Sequence, residues 1–485
     1  MLLKEIIYQI NIQELAGDSS TDICAVVADS RQAVPGALFA AVRGITTDGH
    51  LHIDQAIEKG ATAVLCERMP ENRQQHICYL VVDDSAKALG MAAANFYDHP
   101  SKKLILVGVT GTNGKTTIVN MLYDAFTRLG HQCGMISTIG NCVAGKTLKT
   151  QYTTPDVLTT NKLLSDMVEA GCEYAFMEVS SHALTQKRTE AVHFSGAVFT
   201  NISHDHLDYH KSFREYIKAK QMLFKELDDK AFSVTNLDDK NGMIITQNSR
   251  SKVTTYSLRA MADFKGKLLE NNFGGLQLLV DDKEFWSRLS GKFNAYNILA
   301  VYATGRLLGK DQDELLAAIS GCEPPAGRFE LVRGGQNITG IVDYAHTPDA
   351  LRNVLQNIRE TKTDKQRILT VVGCGGNRDK TKRPEMAVIA TQNSDHVYFT
   401  SDNPRFEDPE AIINDMIAGL EHHPELKRKY VAITSRKEAI KVACITAAPG
   451  DIILIAGKGH EKYQEVRGEK LPFDDKDILN EVLNR

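Results

Sequence analysis

Short apolar, β-branched runs alternate with helix-period segments along almost the whole chain. Unbroken apolar runs and period-two alternation mark strands. Apolar positions three and four apart mark one face of a helix. In the first hundred residues this pattern predicts strands at 25–28, 38–42, 63–65 and 79–82 and a helix over 86–97. The helix should end before His99-Pro100-Ser101, since proline disfavours helix in the residue before it. A second block opens with the apolar run 104–109, turns through Thr110–Gly114 and enters a helix whose Ile118, Leu122, Ala125, Phe126 and Leu129 share one face, with Gly130 ending the pattern. Further strands are predicted at 174–179, 196–200 and 232–235, and the block closes at the turn-rich Pro324-Pro325-Ala326-Gly327. A third block repeats the rhythm, with strands at 339–342, 368–372, 396–400 and 452–456. The alternation predicts an α/β protein with mainly parallel sheets, in three domains spanning 1–100, 101–327 and 328–485.

Composition agrees with this layout and narrows the partners. A chain of 485 residues with 42% hydrophobic and 24% charged content suits several globular domains. A net charge of −4 gives no field that would draw nucleic acid or an anionic membrane. Nine cysteines with no C-x-x-C pair predict free thiols in a reducing compartment. Lys4, Glu5, Gln9 and Asn11 interrupt any apolar leader, so a cytoplasmic, monomeric protein with no membrane segment is expected.

Between the run 104–109 and its helix lies Gly111-Thr112-Asn113-Gly114-Lys115-Thr116-Thr117. Glycines there let backbone N–H groups turn toward phosphate oxygens, and a helix N-terminus adds positive partial charge. Lys115 would reach the outer phosphates of ATP, and the Thr116 hydroxyl would ligate Mg²⁺. One position departs from the generic phosphate-loop pattern: Val109 stands where a glycine is usual.

Glu178 ends the apolar run 174–179, and a carboxylate at a strand's C-terminal end suits a magnesium ligand. After the next strand come His204-Asp205-His206-Leu207-Asp208-Tyr209-His210. Such a cluster could hold zinc, but phosphate chemistry favours a hard cation, hence magnesium. On the residues alone, Lys220 in the segment 216–224 reads as a surface lysine on a helix.

T-G-T-N-G-K-T-T resembles the phosphate loop of the Mur ligase family, which includes the folylpolyglutamate synthetases. The resemblance continues along the chain. Ser203-His204-Asp205-His206-Leu207-Asp208 resembles the family's H-x-D-H-x-D loop, which implies His206 as an imidazole ligand to magnesium, and A-K-x-x-L-F implies that Lys220 is carbamylated and helps bind a second magnesium. F-N-x-x-N implies Asn297 beside adenine, G-R-x-E implies Arg328 near the phosphates, and D-Y-A-H-x-P implies Asp343 on ribose and His346 near the base. Asp29-Ser30-Arg31 with Pro35–Phe39 resembles the UDP-binding domain of the muramoyl tripeptide synthetases, with Ser30 at the uridine nucleotide. Thr153, Thr154, Ser180, Gln186 and Arg188 match positions that hold UDP-N-acetylmuramoyl-L-alanyl-D-glutamate. A guanidinium at 188 also pairs well with diphosphate or carboxylate. The implied architecture is an N-terminal UDP-binding domain, a central phosphate-loop ATPase domain and a C-terminal Rossmann-like domain.

Three loops after third-block strands remain: Gly373–Pro384, Asp402-Asn403-Pro404-Arg405 and Gly457–Glu461. Open α/β sheets bind ligands at such strand ends. Arg378 and Arg405 would hold carboxylates, while Glu461 and Asp402 would hold an ammonium, which describes a pocket for an amino acid. D-N-P-R resembles the signature of ligases that add meso-diaminopimelate, so Asp402, Asn403, Pro404, Arg405 and Gly457 are implied as its contacts. The arginine would match a distal carboxylate that lysine lacks. The implied activity is ATP-driven amide ligation through an acyl phosphate in peptidoglycan synthesis. A lysine-adding ligase, a folylpolyglutamate synthetase, a non-enzymatic nucleotide-binding scaffold and a nucleic-acid ATPase are the rival readings.

Overall fold

The protein is represented by a computed structural model that describes residues 1–44, 47–150 and 152–484, with the side chains at 207 and 208 outside the description. Of Asp208, beside the predicted ligand His206, only the backbone is therefore described.

The chain folds into three α/β layers, each around its own sheet. The first sheet orders its five strands Ile12–Ala16, Cys78–Val82, Ala61–Cys66, Ala37–Ala40 and Ala25–Val27. Only the pairing of Ile12–Ala16 with Cys78–Val82 is antiparallel. The eleven-stranded central sheet has a parallel heart: Phe232–Asn236, Gly196–Phe199, Ile105–Thr110, Tyr174–Glu178 and Cys133–Ser137 lie side by side. Antiparallel ribbons extend both ends of it, Gly140–Val143 with Lys146–Leu148 at one side and Phe264–Asn272 through Lys283–Ser287 at the other. The apolar pattern gave no sign of these ribbons, because their outer strands alternate with exposed polar residues. The third sheet runs Glu330–Arg333, Thr339–Asp343, Ile452–Ala456, Ile368–Val372, His396–Phe399 and Tyr430–Ala432, with only the first pair antiparallel.

Burial explains why these segments adopt these forms. Leu106, Val107 and Val109 are fully buried in the central strand, covered on both faces, which is why the run is apolar without alternation. The helix Lys115–Arg128 buries Ile118, Val119, Met121, Leu122, Ala125 and Phe126 on one face. Each large apolar side chain so buried contributes about 1.5–3 kcal/mol. Val109 belongs to the strand Ile105–Thr110, so the glycine-dependent turn begins two residues later, at Gly111. All nine cysteines are free thiols, and eight of them are buried. No helix among the described residues is long and apolar enough to cross a membrane.

Candidate active site

The C-terminal ends of the central and third sheets open onto one cleft of about 1340 Å³. Its phosphate end is built from backbone. Gly111 has φ 152° and Gly114 has φ 91°, conformations that L side chains rarely adopt. Space is equally restrictive: a Cβ on Gly111 would lie 1.8 Å from Thr200 Oγ1, and one on Gly114 would lie 2.5 Å from Asn297 Oδ1. The neighbouring loop splints the turn. Thr112 N donates to Asn201 O at 2.8 Å, Asn113 N donates to Asn201 Oδ1 at 3.0 Å, and Thr200 Oγ1 donates to Asn113 O at 2.6 Å. Gly114 caps the helix Lys115–Arg128 without a side-chain acceptor, whereas Asp156 caps the helix Val157–Glu169 by accepting from Leu158 N and Thr159 N. The first helix thus presents its N-terminal amides to an anion, and Thr112, Asn113, Gly114, Lys115, Thr116 and Thr117 line the cleft there. Lys115 Nζ folds back onto Gly111 O and Thr112 O at 2.9 and 2.8 Å.

A relay of polar groups lies behind the loop. Arg328 Nη2 donates to Thr116 Oγ1 at 3.0 Å, and Thr116 Oγ1 donates to Glu178 Oε2 at 3.0 Å. Glu178 is fully buried and accepts from Thr138 N at 2.8 Å through Oε1. Arg328 also lies over the Tyr344 ring, 4.6 Å from its centroid. His206 pairs with Asp205 at 3.3 Å, and burial lowers the proton affinity of its imidazole against the pull of that carboxylate. The buried Glu178 carboxylate and the Thr116 hydroxyl are oxygen donors suited to magnesium, and an uncharged imidazole beside them would not repel the cation. No group of three or more His, Cys, Asp or Glu side chains that could hold a metal occurs among the described residues, so nucleotide oxygens and water would have to complete any shell.

Lys220 is not the surface residue that its sequence suggests. It is 1% exposed, its Nζ donates to Gly111 O at 2.8 Å, and it lies over the Tyr216 ring. Burial, and after it the ammonium of Lys115, holds its amine well below the ordinary lysine range. The amphipathic helix Phe213–Lys225 predicted an exposed face, and packing of that helix under the phosphate loop reversed the reading.

The third domain closes the cleft from the other side. Asp343 is buried, accepts from Phe329 N at 2.7 Å and is pushed up to about 6 by burial, with Arg328 opposing. His346 is pushed down to about 4 by burial and then by Lys382. Asn297 donates to Asn294 Oδ1 at 2.9 Å and lines the same cleft as both. Asp349 spans the two domains, accepting from Asn113 Nδ2 at 3.1 Å and from Ser203 Oγ at 3.0 Å. Its role depends on a partner 236 positions away, which no local pattern announces.

A second group of predicted residues forms one hydrogen-bonded patch. Thr154 Oγ1 donates to Glu178 O at 2.8 Å and accepts from Ser180 N at 3.1 Å. Arg188 donates to Thr154 O at 2.8 Å, and to Gln186 Oε1 at 3.0 and 2.7 Å. Thr153 accepts from Thr138 Oγ1 at 3.0 Å. Thr153, Thr154, Ser180 and Arg188 line the cleft, while Gln186 stands behind Arg188. Ser30 is placed apart: it is buried in the first domain, its hydroxyl donates to Gln55 Oε1 at 2.6 Å, and it does not line the cleft.

The part of the cleft formed by the loops after third-sheet strands carries charged side chains. Arg378, Asp402, Asn403, Arg405, Gly457 and Glu461 line the cleft, while Pro404 does not. Arg405 has φ 53°, and its Nη1 donates to Gly376 O at 2.8 Å while its Nε meets Glu465 at 3.3 Å. Gly457, at φ 117°, sits so close to Asp402 that a Cβ would lie 2.6 Å from Oδ2. Lys458, which no motif singled out, is fully buried beneath this pocket. Its signal was the G-K-G context alone, which does not distinguish a buried cation from a solvated one.

Comparison with known proteins matches these three layers in order. Residues 22–97 match the model described as Mur ligase family, catalytic domain; residues 109–305 match the Mur ligase middle domain; residues 327–459 match the Mur ligase, glutamate ligase domain. A protein of Cytophaga hutchinsonii named UDP-N-acetylmuramoyl-L-alanyl-D-glutamate–2,6-diaminopimelate ligase is 54% identical over 100% of this chain and 99% of its own. The protein of the same name from Bacillus cereus is 40% identical over 95% and 94%. A solved structure bearing that ligase name superposes with a TM-score of 0.70 at 32% identity, covering 100% of this chain and 98% of the other. A folylpolyglutamate synthase from Mycobacterium tuberculosis shares the fold at a TM-score of 0.62 and 18% identity, over 76% of this chain and 91% of its own. Similarity of this depth along the full length, across all three sheets including the two that frame the cleft, places the chain in the Mur ligase family.

Proposed function

We propose that the chain is an ATP-dependent ligase that adds meso-diaminopimelate to the D-glutamate of UDP-N-acetylmuramoyl-L-alanyl-D-glutamate in peptidoglycan synthesis. The observation that carries this reading is a single cleft with Lys115 at one end and Arg405 at the other. Residues 1–100 would take the uridine end of the precursor, with Ser30 as a contact. Residues 101–327 would hold ATP and the reacting carboxyl, and 328–485 the amino acid.

The D-glutamate side-chain carboxylate attacks the γ-phosphorus of ATP, and ADP leaves with the bonding electrons. Helix amides at 114–117, Lys115 and Arg328 stabilise the charge that spreads over the phosphoryl oxygens. Asn297, Asp343 and His346 hold the nucleoside end. Thr153, Thr154, Ser180 and Arg188, with Gln186 behind, hold the precursor so that its carboxyl meets the phosphate. Thr116, Glu178, His206 and the carbamate of Lys220 would hold magnesium, which when bound neutralises phosphate oxygens. A neutral amine at Lys220 is the form that adds carbon dioxide, giving an anionic oxygen donor. The diaminopimelate nitrogen then attacks the acyl carbon, the C–O bond to phosphate breaks, and the nitrogen sheds a proton. Its lone pair must be free, so the rate falls as pH drops below neutral. Arg378 and Arg405 receive carboxylates, and Asp402 and Glu461 receive an ammonium. A cytoplasmic location suits the free thiols.

The test offers purified protein with ATP and the UDP-linked dipeptide, and compares diaminopimelate, lysine and a folate with glutamate. Tripeptide formation with diaminopimelate is expected. Preference for lysine would move the chain to the lysine-adding ligases, and activity only on folate to the folylpolyglutamate synthetases.

A further inference from the structure

Beneath the amino-acid pocket a single ammonium ties its own loop to a distant strand end. Lys458 is fully buried. Its Nζ donates to Asn403 Oδ1 at 2.9 Å and to Glu461 Oε2 at 3.1 Å, 5.5 Å from the centroid of the Tyr463 ring. Asn403 completes the triangle: its Nδ2 donates to the same Glu461 oxygen at 2.8 Å, and its Oδ1 also accepts from Glu465 N at 2.9 Å. A cation on Asn403 Oδ1 fixes which way that amide points, and so turns its N–H face toward Glu461. The antiparallel hairpin of Tyr463–Val466 and Glu469–Pro472 also holds Arg405, whose N donates to Glu465 O at 3.0 Å and whose O accepts from Arg467 N at 2.6 Å.

We propose that Lys458 is a positioning residue that sets the choice of amino acid, by orienting Asn403 and offsetting the charge of Glu461. This role rests on the ligase reading. Net charge separates the two candidate substrates. Near neutral pH diaminopimelate carries two carboxylates and two ammoniums, whereas lysine carries one carboxylate and two ammoniums. Glu461 and Asp402 would attract the surplus cation of lysine. Lys458 opposes that attraction from a place that water cannot screen, and so disfavours the wrong substrate. Buried and paired, it adds specificity in a way that a surface lysine would not.

Lys458→Met and Lys458→Gln are compared with the wild type, using diaminopimelate and lysine as rival acceptors at saturating ATP and UDP-linked dipeptide. Both variants should lower the ratio of kcat/KM for diaminopimelate over lysine by about tenfold or more, while the KM for ATP stays within about twofold. Lys458→Gln keeps an N–H donor at that depth, so it should retain a lower KM for diaminopimelate than Lys458→Met. If Lys458→Met does not fold, Lys458→Gln carries the comparison. An unchanged ratio, or an equal loss with both amino acids, would overturn the proposal and leave Lys458 a packing residue. A wild-type protein that ligates neither amino acid would instead sink the ligase reading itself.

Discussion

Lys220 and Lys458 are buried to the same degree and meet opposite surroundings. Lys220 is 1% exposed and makes no ion pair among the described residues; its Nζ rests on a carbonyl oxygen and an aromatic face, near the charge of Lys115. Lys458 is 0% exposed and is tied to the Glu461 carboxylate. A buried amine without a counter-ion is favoured neutral, and a neutral amine is a nucleophile. A buried amine with a carboxylate and an amide oxygen in reach orders its neighbours. Burial alone therefore does not decide what a lysine does. The first is suited to chemical modification beneath the glycine loop, and the second to ordering Asn403 and Glu461.

The largest expected effect is at the lysine without a counter-ion. Lys220→Ala should lower kcat by about 100-fold or more while ADP still binds. Labelled bicarbonate should give a ¹³C carbamate signal on the wild type and none on the variant. A wild type with no such signal would break the contrast between the two lysines. Arg405→Ala sharpens the paired side: it should cost about 2–4 kcal/mol in kcat/KM for diaminopimelate with little change in ATP binding, and equal loss of both would make the arginine structural.

Asp343 supplies a buried group of the other sign. Its carboxyl is raised from 3.8 to about 6, so the folded state disfavours the ionised form. That penalty is fully present above pH 6 and disappears below pH 4. Asp343→Asn should therefore raise stability by about 2–3 kcal/mol at pH 8, a net figure that already includes the attraction to Arg328, and by nothing at about pH 3.5. Thermal melting across that range checks the sign, and nucleotide affinity should fall at the same time. The smallest effect is expected from Asp349→Ala, which removes two inter-domain hydrogen bonds at the edge of the cleft. About 1 kcal/mol in apparent ATP affinity is expected, with a matching rise in solution radius of gyration.

How far the sequence carried these conclusions depended on whether a residue's role was local. The phosphate loop was legible because a strand, two forced glycines and a helix start lie close together along the chain. The parallel strands were legible from their unbroken apolar runs. The ribbons between Phe264 and Ser287 were not, since their exposed faces mix with loop-like composition. The burial of Lys220, the splint from Thr200 and Asn201, and the Asp349 bridge were hidden because each is created by packing between distant segments. Lys458 was hidden in part for a related reason: Glu461 and Tyr463 follow it closely in the chain, but the Asn403 amide that completes its surroundings is 55 positions away.

In the proposed reaction a carboxyl oxygen becomes bonded to phosphorus before the amide forms. The direct test labels the D-glutamate side-chain carboxylate of the UDP-linked dipeptide with ¹⁸O, then supplies ATP and diaminopimelate. Mass analysis of the released inorganic phosphate should find the label there, carried over when the acyl–oxygen bond breaks. Peptide formation with unlabelled phosphate would contradict the mechanism.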